Sequence, residues 1–294
     1  MSIERAAALI RAGRLVAFPT ETVYGLGANA LDPQAVARIF AAKGRPESSP
    51  LIVHVDSIEM ARGLAAGWPE SAQRLAEHYW PGPLTLVLPK QPVIPDIVTA
   101  GLPTVGLRMP AHPLALELIR AAGVPIAAPS ANRFTELSPA DAAHVPEALA
   151  EYVIDGGPAR VGIESAVLSL AESVPVLLRP GVIPQPEMER LIGPIQRAAD
   201  PSTGPHPAPG MHARHYRPST PLYLVDQSER LPEGHGAWLR IGQEMPADPL
   251  EYAAVLYATL HRLDAQHLDW IAVERPPATP EWAGVLDRLR RASQ

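Results

Sequence analysis

The sequence predicts an α/β protein built from two domains. Short apolar runs alternate with amphipathic helical stretches through the first 195 residues, and a shorter alternation of the same kind restarts near residue 222. The last strand-like runs of the first part follow one another with no helix between them, which predicts a mixed sheet. A chain of 294 residues is long enough for two such units.

The elements of the first part follow from local patterns. Residues 2–12 have helical spacing and stop at Gly13, and the apolar run 15–18 is a short strand that ends at Pro19. Asp32 can cap a helix that has proline at its first position. Further strands are predicted at 51–55, 85–88, 104–109, 125–129, 152–157, 165–170 and 174–181, and further helices near 69–79, 112–122, 139–150 and 185–192.

One glycine-rich stretch is ambiguous. Residues 25–30, "GLGANA", have two glycines but not the third of a dinucleotide-binding fingerprint, so we predict a tight turn there.

The pattern beyond residue 221 predicts a small Rossmann-like α/β domain. The predicted order is strand, strand, helix, strand, helix, with the long helix at 248–266 and the final one at 280–292. We therefore predict a large domain at 1–195, a proline-rich linker at 196–221 and a small domain at 222–294.

Composition excludes several classes of protein. The chain has no cysteine, which excludes disulfides, thiolate catalysis and iron–sulfur clusters. A net charge of −6 provides no overall basic surface for nucleic acid. Charged residues interrupt the apolar N-terminus, and no run of ~20 apolar residues is present, so we expect a soluble cytoplasmic protein without membrane contact.

Cationic side chains mark the first candidate site. Lys43 and Arg45 project from the turn where a helix ends at Gly44. Their alternative role is to complement the C-terminal end of that helix, worth about 0.3–1 kcal/mol. Arg108 and Arg179 each end an apolar strand, where a guanidinium either binds a carboxylate or phosphate or forms an internal salt bridge.

Small polar residues follow other strands. Ser130, Asn132 and Ser138 come after the strand ending at Pro129, where they can bind phosphate, although Ser138 can instead cap a helix. Thr20 begins the loop after the first strand. Ligands of open α/β sheets bind beyond strand ends, so these loops can converge on one cleft.

Taken together, the motifs resemble the threonylcarbamoyl-AMP synthase family in its long two-domain form, with a YrdC-like catalytic domain that has an open cleft. The resemblance covers nearly all of the first 221 residues, and the last 73 match more loosely and look short. The motifs are "FPTETVYGLGANA", "KGRPESSPLIVHV", "WPGPLTLVL", "TAGLPTVGLRMPAHP", "PIAAPSAN", "IDGG", "GIESAV", "LLRPG" and "APGMHARHYRP".

The resemblance implies a nucleotidyltransferase that makes threonylcarbamoyl-AMP and pyrophosphate from L-threonine, bicarbonate or carbon dioxide, and ATP. It implies magnesium carried by ATP rather than by protein ligands, no organic cofactor, a downstream tRNA threonylcarbamoyl transferase complex, and room for a weak tRNA contact. By the same resemblance, Lys43 and Arg45 are catalytic, and the threonine site is Thr20, His54, Arg108 and Ser165. The implied ATP site is Lys43, Arg45, Ser49, Thr104, Ser130, Asn132, Ser138, Arg179 and His215.

Several alternatives remain open. His54 can be a core histidine on its strand instead of a ligand. The histidines at 206, 212 and 215 suggest a metal site or a bare linker, whereas the resemblance implies a lid over the nucleotide in which His215 reaches ATP. At the level of function, the alternatives are another enzyme that makes a carbamoyl-adenylate and a non-catalytic RNA-binding module.

Overall fold

The structure is a computed structural model and describes residues 2–198, 216–226 and 233–293. Its strands form two sheets, and its helices pack on them, which confirms the predicted two-part α/β class. Among the described residues, the helices are α1 (Ile3–Arg11), α2 (Pro33–Lys43), α3 (Ile58–Leu64), α4 (Glu70–Tyr79), α5 (Asp96–Thr99), α6 (Pro113–Ala122), α7 (Gln185–Ile192), α8 (Pro249–Asp264) and α9 (Ala283–Ala292). The strands are β1 (Val16–Phe18), β2 (Gly25–Asn29), β3 (Ile52–His54), β4 (Leu84–Pro89), β5 (Thr104–Arg108), β6 (Ile126–Ala127), β7 (Tyr152–Val153), β8 (Ala166–Ser169), β9 (Val176–Arg179), β10 (Gln196–Arg197), β11 (Leu222–Val225), β12 (Gly236–Leu239) and β13 (Trp270–Glu274).

The large sheet is mixed, as predicted. Its strand order among the described residues is β10-β9-β8-β4-β5-β3-β6-β2-β1-β7. The pairs β1–β7, β3–β5, β4–β8 and β9–β10 are parallel, and the other neighbours are antiparallel. Candidate site residues end β3, β5 and β9, and others lie in the loops that follow β1 and β6.

The prediction of a turn at residues 25–30 was wrong. This stretch is strand β2, which pairs antiparallel with β1 and with β6. A Cβ at Gly27 would lie 2.8 Å from Ile126 Cγ2 and from Phe18 Cε1. The glycine therefore serves close packing of the strand against its neighbours rather than a chain reversal.

The helix predicted over 139–150 was also wrong. Only a short 3-10 turn forms, at Ala142–His144, and the Asp141 side chain caps it by accepting from the Ala143 N–H at 3.0 Å. Pro146 explains the early end, because the residue before a proline is disfavoured in helical geometry, and Val145 has an extended ψ of 120°. The short helices α3 and α5 were not predicted.

The small sheet is parallel, with the order β11-β13-β12, and α8 and α9 pack in the same apolar cluster. That cluster is shared between the two parts of the chain, because it also contains Val23, Leu137 and Ile163. A Cβ at Gly162 would lie 2.2 Å from the Ala253 carbonyl oxygen of α8, so the backbones approach too closely there for a larger residue. The two parts are therefore in intimate contact.

No helix in the part of the chain that the structure describes is both long enough and apolar enough to cross a membrane.

Candidate active site

One cleft collects most of the polar residues singled out from the sequence. It encloses about 530 Å³ of space, including its open mouth. It lies over the strand ends of the large sheet, where open α/β sheets commonly bind ligands. Its lining residues are Thr20, Thr22, Val23, Gly25, Arg45, Ile52, His54, Arg108, Ala128, Pro129, Ser130, Glu164, Ser165, Arg179 and Tyr216.

The loop after β1 is folded around the Thr20 hydroxyl. That oxygen accepts hydrogen bonds from the backbone N–H groups of Thr22 and Val23, each at 3.2 Å, and donates to the Val23 carbonyl at 2.6 Å. The Thr22 hydroxyl lies 2.8 Å from it. The loop is thus held in one shape before any ligand binds.

Arg108 forms the internal salt bridge that was its alternative role. Its Nη2 donates to Glu21 Oε1 at 2.7 Å and to the Thr22 hydroxyl at 2.9 Å, and its Nε donates to the Gly82 carbonyl at 3.3 Å. The arginine side chain is 4% exposed and the glutamate side chain 8%. Within the described residues, Nη1 has no acceptor, so the guanidinium is both anchored and able to bind an anion in the cleft.

His54 lies at the end of β3 and combines a core position with access to the cleft. The ring packs edge-to-face on Phe18, with centroids 5.8 Å apart. Its buried Nδ1 has no hydrogen-bond partner among the described residues. Burial, followed by repulsion from Arg108, lowers the pKa of His54 to about 3, so the imidazole is neutral at pH 7.

Lowering the pH from 7 to 5 is expected to reduce the free energy of unfolding, with about 2 kcal/mol of the loss due to His54. The unfolded chain binds a proton below an ordinary pKa of 6.5, whereas the folded imidazole stays neutral until about 3. The contribution of neutral His54 to the free energy of unfolding is therefore complete above pH 6.5, and it is lost progressively as the pH falls from 6.5 toward 3. Urea unfolding of the wild type and of His54→Leu at both pH values checks this, because the variant should show the smaller loss. Equal losses would contradict it.

Lys43 and Arg45 project from the end of α2 in different directions. The Lys43 ammonium donates to the Ser130 carbonyl at 2.6 Å and to the Asn132 carbonyl. Lys43 therefore fixes the loop after β6 and is absent from the cleft lining. Burial, then repulsion from Arg45, holds the pKa of Lys43 well below its usual value.

Arg45 lines the cleft itself. Its Nη2 donates to the Pro50 carbonyl at 3.1 Å and also contacts the Ser49 hydroxyl, and the guanidinium lies 5.7 Å from the centre of the Phe134 ring. Its buried Nε has no acceptor among the described residues. Burial lowers the pKa of Arg45 to about 10, which leaves the group charged at pH 7.

Ser165 and Arg179 meet at the far wall. The Nε and Nη2 of Arg179 donate to the Ser165 carbonyl at 3.2 and 3.0 Å, and the Ser165 hydroxyl lies 2.8 Å from that of Thr85. Both side chains are buried. Ser165 directly precedes β8 and Arg179 ends β9, and because these two strands are adjacent in the sheet, a hydroxyl and a cation lie side by side.

Some of the proposed residues lie outside the cleft lining. Asn132 and Ser138 are buried residues of the chain segment that follows β6, and Ser49 contacts Arg45. Thr104 lines a second cavity of about 290 Å³, which adjoins the cleft at Ile52. Ser138 does not cap a helix, because its hydroxyl instead donates to Glu164 at 2.6 Å. His206, His212 and His215 lie outside the described residues.

Sequence reasoning missed Glu164 and Tyr216, which both line the cleft. Glu164 had a usable signal, since a carboxylate directly before the apolar run of β8 needs a buried partner. Tyr216 had no such signal, because a tyrosine is not unusual in a loop.

The fold and cleft define a two-domain α/β protein whose site is built from buried cations and small hydroxyl side chains. Residues 8–181 match a family model described as telomere recombination, and residues 183–294 match one described as the threonylcarbamoyl-AMP synthase C-terminal domain. Threonylcarbamoyl-AMP synthases of Pyrococcus abyssi and Bacillus subtilis are 45% and 43% identical, over 99% of this chain and 94% and 92% of theirs.

Solved structures agree with these matches. The Pyrococcus abyssi protein Sua5, solved in complex with L-threonine, has a TM-score of 0.92 and 43% identity over 99% of this chain and 94% of that chain. Escherichia coli YciO, at 24% identity and a TM-score of 0.55, covers 61% of this chain and 89% of that chain and shares the fold alone. The protein is an enzyme of the nucleotidyltransferase type. The chain belongs to the threonylcarbamoyl-AMP synthase family.

Proposed function

We propose that the chain makes threonylcarbamoyl-AMP and pyrophosphate from L-threonine, bicarbonate or carbon dioxide, and ATP. The observation that supports this most directly is the cleft, where Arg45, Arg108 and Arg179 surround one space in a chain of this family. The carboxylate of an amino acid and the phosphates of a nucleoside triphosphate together need several cations, and buried guanidinium groups bind both kinds of anion.

Threonine binds at the Arg108 end of the cleft in this proposal. The Arg108 Nη1 receives the carboxylate, because Glu21 and Thr22 already hold the other side of the guanidinium. Thr20, His54 and Ser165 complete this end and face the amino acid's polar groups. The threonine complex of the Pyrococcus abyssi protein supports such a substrate.

ATP binds at the Arg45 and Arg179 end. These cations and the Ser130 loop offset the negative charge that builds up when the threonine carbamate attacks the α-phosphorus and pyrophosphate leaves. Lys43 contributes by holding the Ser130 and Asn132 carbonyls, which orients the loop. Ser49, Thr104 and Ser138 act from behind these groups, and His215 covers the nucleotide from the linker.

The carbamate forms when the neutral threonine amine attacks carbon dioxide, so the ammonium loses one proton before the attack and the nitrogen loses a second proton after it. His54 is a weak base, because burial lowers its pKa to about 3. Bicarbonate, which is a stronger base than His54, is therefore the better acceptor for the ammonium proton, and its protonation gives carbon dioxide and water; the second proton passes to solvent. His54 then orients threonine as a neutral hydrogen-bonding group.

The remaining parts of the proposal concern context. Magnesium arrives with the ATP phosphates, no organic cofactor takes part, and the enzyme works in the cytoplasm. The product passes to a tRNA threonylcarbamoyl transferase complex that modifies the adenosine beside the anticodon of tRNAs reading ANN codons. The domain limits at residues 195 and 222 stay a prediction.

The test is product formation by the full chain. Pyrophosphate release and a threonylcarbamoyl-AMP adduct, detected by mass spectrometry, should require threonine, bicarbonate and ATP together. Pyrophosphate release with carbamoyl phosphate in place of threonine would favour the other carbamoyl-adenylate enzyme. Tight tRNA binding without threonine-dependent ATP consumption would favour the RNA-binding module.

A further inference from the structure

A single carboxylate joins the C-terminal helices to the wall of the cleft. Glu164 lines the cleft directly before Ser165, and its side chain is 10% exposed. Its Oε1 accepts from the Ser138 hydroxyl at 2.6 Å, and its Oε2 accepts from Arg288 Nε at 2.7 Å and from the Tyr257 hydroxyl at 3.1 Å. Arg288 belongs to α9 and Tyr257 to α8, so both C-terminal helices reach the site at this point.

Arg288 also binds the backbone on both sides of the wall. Its Nη2 donates to the Glu164 carbonyl and its Nη1 to the Pro180 carbonyl, each at 3.1 Å. These carbonyls lie directly before Ser165 and directly after Arg179. One guanidinium therefore spans the two chain segments that hold a proposed threonine contact and a proposed ATP contact.

The pair is ionised although it is buried. Burial alone would raise the pKa of Glu164, but attraction to Arg288 and Arg179 and the hydrogen bond from Ser138 hold it below its ordinary value. The Arg288 side chain is 1% exposed. Removing either charge would leave the other buried without its partner, which would destabilise the fold.

Packing leaves little freedom for α9 to shift. A Cβ at Gly284 would lie 2.5 Å from the Gly181 carbonyl oxygen, so the helix rests directly on the backbone that follows Arg179. Arg288 lies one turn further along the same helix and is held in addition by Asp287, at 2.8 Å. A shift of α9 would therefore also move the backbone segments that hold Ser165 and Arg179.

We propose that Arg288 is a positioning residue that sets the spacing between Ser165 and Arg179, so that the C-terminal domain completes the active site from behind. This inference rests on the proposed function, since it assigns Ser165 to threonine and Arg179 to ATP. It gives the C-terminal domain a role in the chemistry that is independent of the linker.

The test is Arg288→Lys in the full chain, because lysine keeps the positive charge but cannot reach both backbone carbonyls and the carboxylate at once. The KM values for threonine and for ATP should both rise, and kcat/KM should fall about 10- to 100-fold, because Ser165 and Arg179 would be misplaced relative to the substrates. Arg290→Lys is the matched control, since this arginine is exposed on the same helix and should behave as wild type. A purely structural role would lower kcat in proportion to the folded fraction and leave both KM values unchanged, and that result would overturn the inference.

A second variant covers the case in which Arg288→Lys does not fold. Glu164→Gln keeps an acceptor for Ser138 and Arg288 but removes the charge, and it should also raise both KM values. Calorimetric binding of threonine and of a non-hydrolysable ATP analogue tests the same shift without turnover. A wild-type chain that makes no product would refute the proposed function, whereas an active wild type with unaltered KM values in the variants would refute only the role of Arg288.

Discussion

Arg108→Met is expected to raise the KM for threonine about 100-fold, which is the effect of losing a charge-assisted hydrogen bond to a carboxylate. The KM for ATP should change little, because Arg45 and Arg179 lie at the other end of the proposed site. Steady-state kinetics with threonine varied at saturating ATP and bicarbonate measure the effect. Urea unfolding must accompany them, since the substitution leaves Glu21 buried without its cation and costs about 3–5 kcal/mol.

Glu21→Gln is the matched control for Arg108→Met. It disturbs the same buried pair but leaves the guanidinium and an amide oxygen that can still accept from Arg108 Nη2. We expect lower stability with a threonine KM within a few-fold of wild type. If Glu21→Gln raised the threonine KM as much as Arg108→Met does in folded protein, the direct contact between Arg108 and the carboxylate would be refuted.

Arg45→Met is expected to raise the KM for ATP about 100-fold with threonine binding largely preserved. The guanidinium lines the cleft, and within the described residues its Nε has no acceptor, so a phosphate oxygen in the cleft would supply one. Its pKa of about 10 keeps it charged at neutral pH. ATP titrations of pyrophosphate release check the change.

Arg38→Met provides the control for Arg45→Met, because Arg38 is an exposed residue of α2, the helix that ends just before Arg45, and it donates to the Gly13 carbonyl away from the cleft. Its ATP kinetics should match wild type. Arg45→Lys should fall between the two, since a lysine keeps the charge but loses the fork of donors. An Arg45→Met variant with normal ATP kinetics would remove this arginine from the ATP site.

The fold was largely predictable where the pattern is local. The capped helix α2 begins at Pro33 as predicted, with the Asp32 side chain accepting from the Gln34 and Ala35 N–H groups. The two wrong predictions, at β2 and at the 3-10 turn, have physical causes. For β2 the cause lies in distant parts of the chain, and for the turn it lies just beyond the element. Gly27 is placed in a strand by Ile126 and Phe18, and the turn at Ala142–His144 is cut short by Pro146.

The candidate site was predictable as a set of residues but not as a geometry. Thr20, Arg45, His54, Arg108 and several others do line one cleft. The patterns in the sequence do not distinguish side chains that face a ligand from those that support a loop. Lys43 is an example: the resemblance implies the same catalytic role for Lys43 and Arg45, which stays a prediction, and the structure adds that the Lys43 ammonium donates to the Ser130 and Asn132 carbonyls.

The sequence by itself determined the α/β class, most of the strands, the two-part organisation and the family, because periodicity, capping residues and short motifs are local features. Only the tertiary structure decided the partners of the buried charges. Arg108 and Glu21 are 87 residues apart, and Arg288 and Glu164 are 124 apart. Such pairs have no signature in a single sequence, since the low dielectric of the interior requires each buried charge to have a partner but does not specify where along the chain that partner lies.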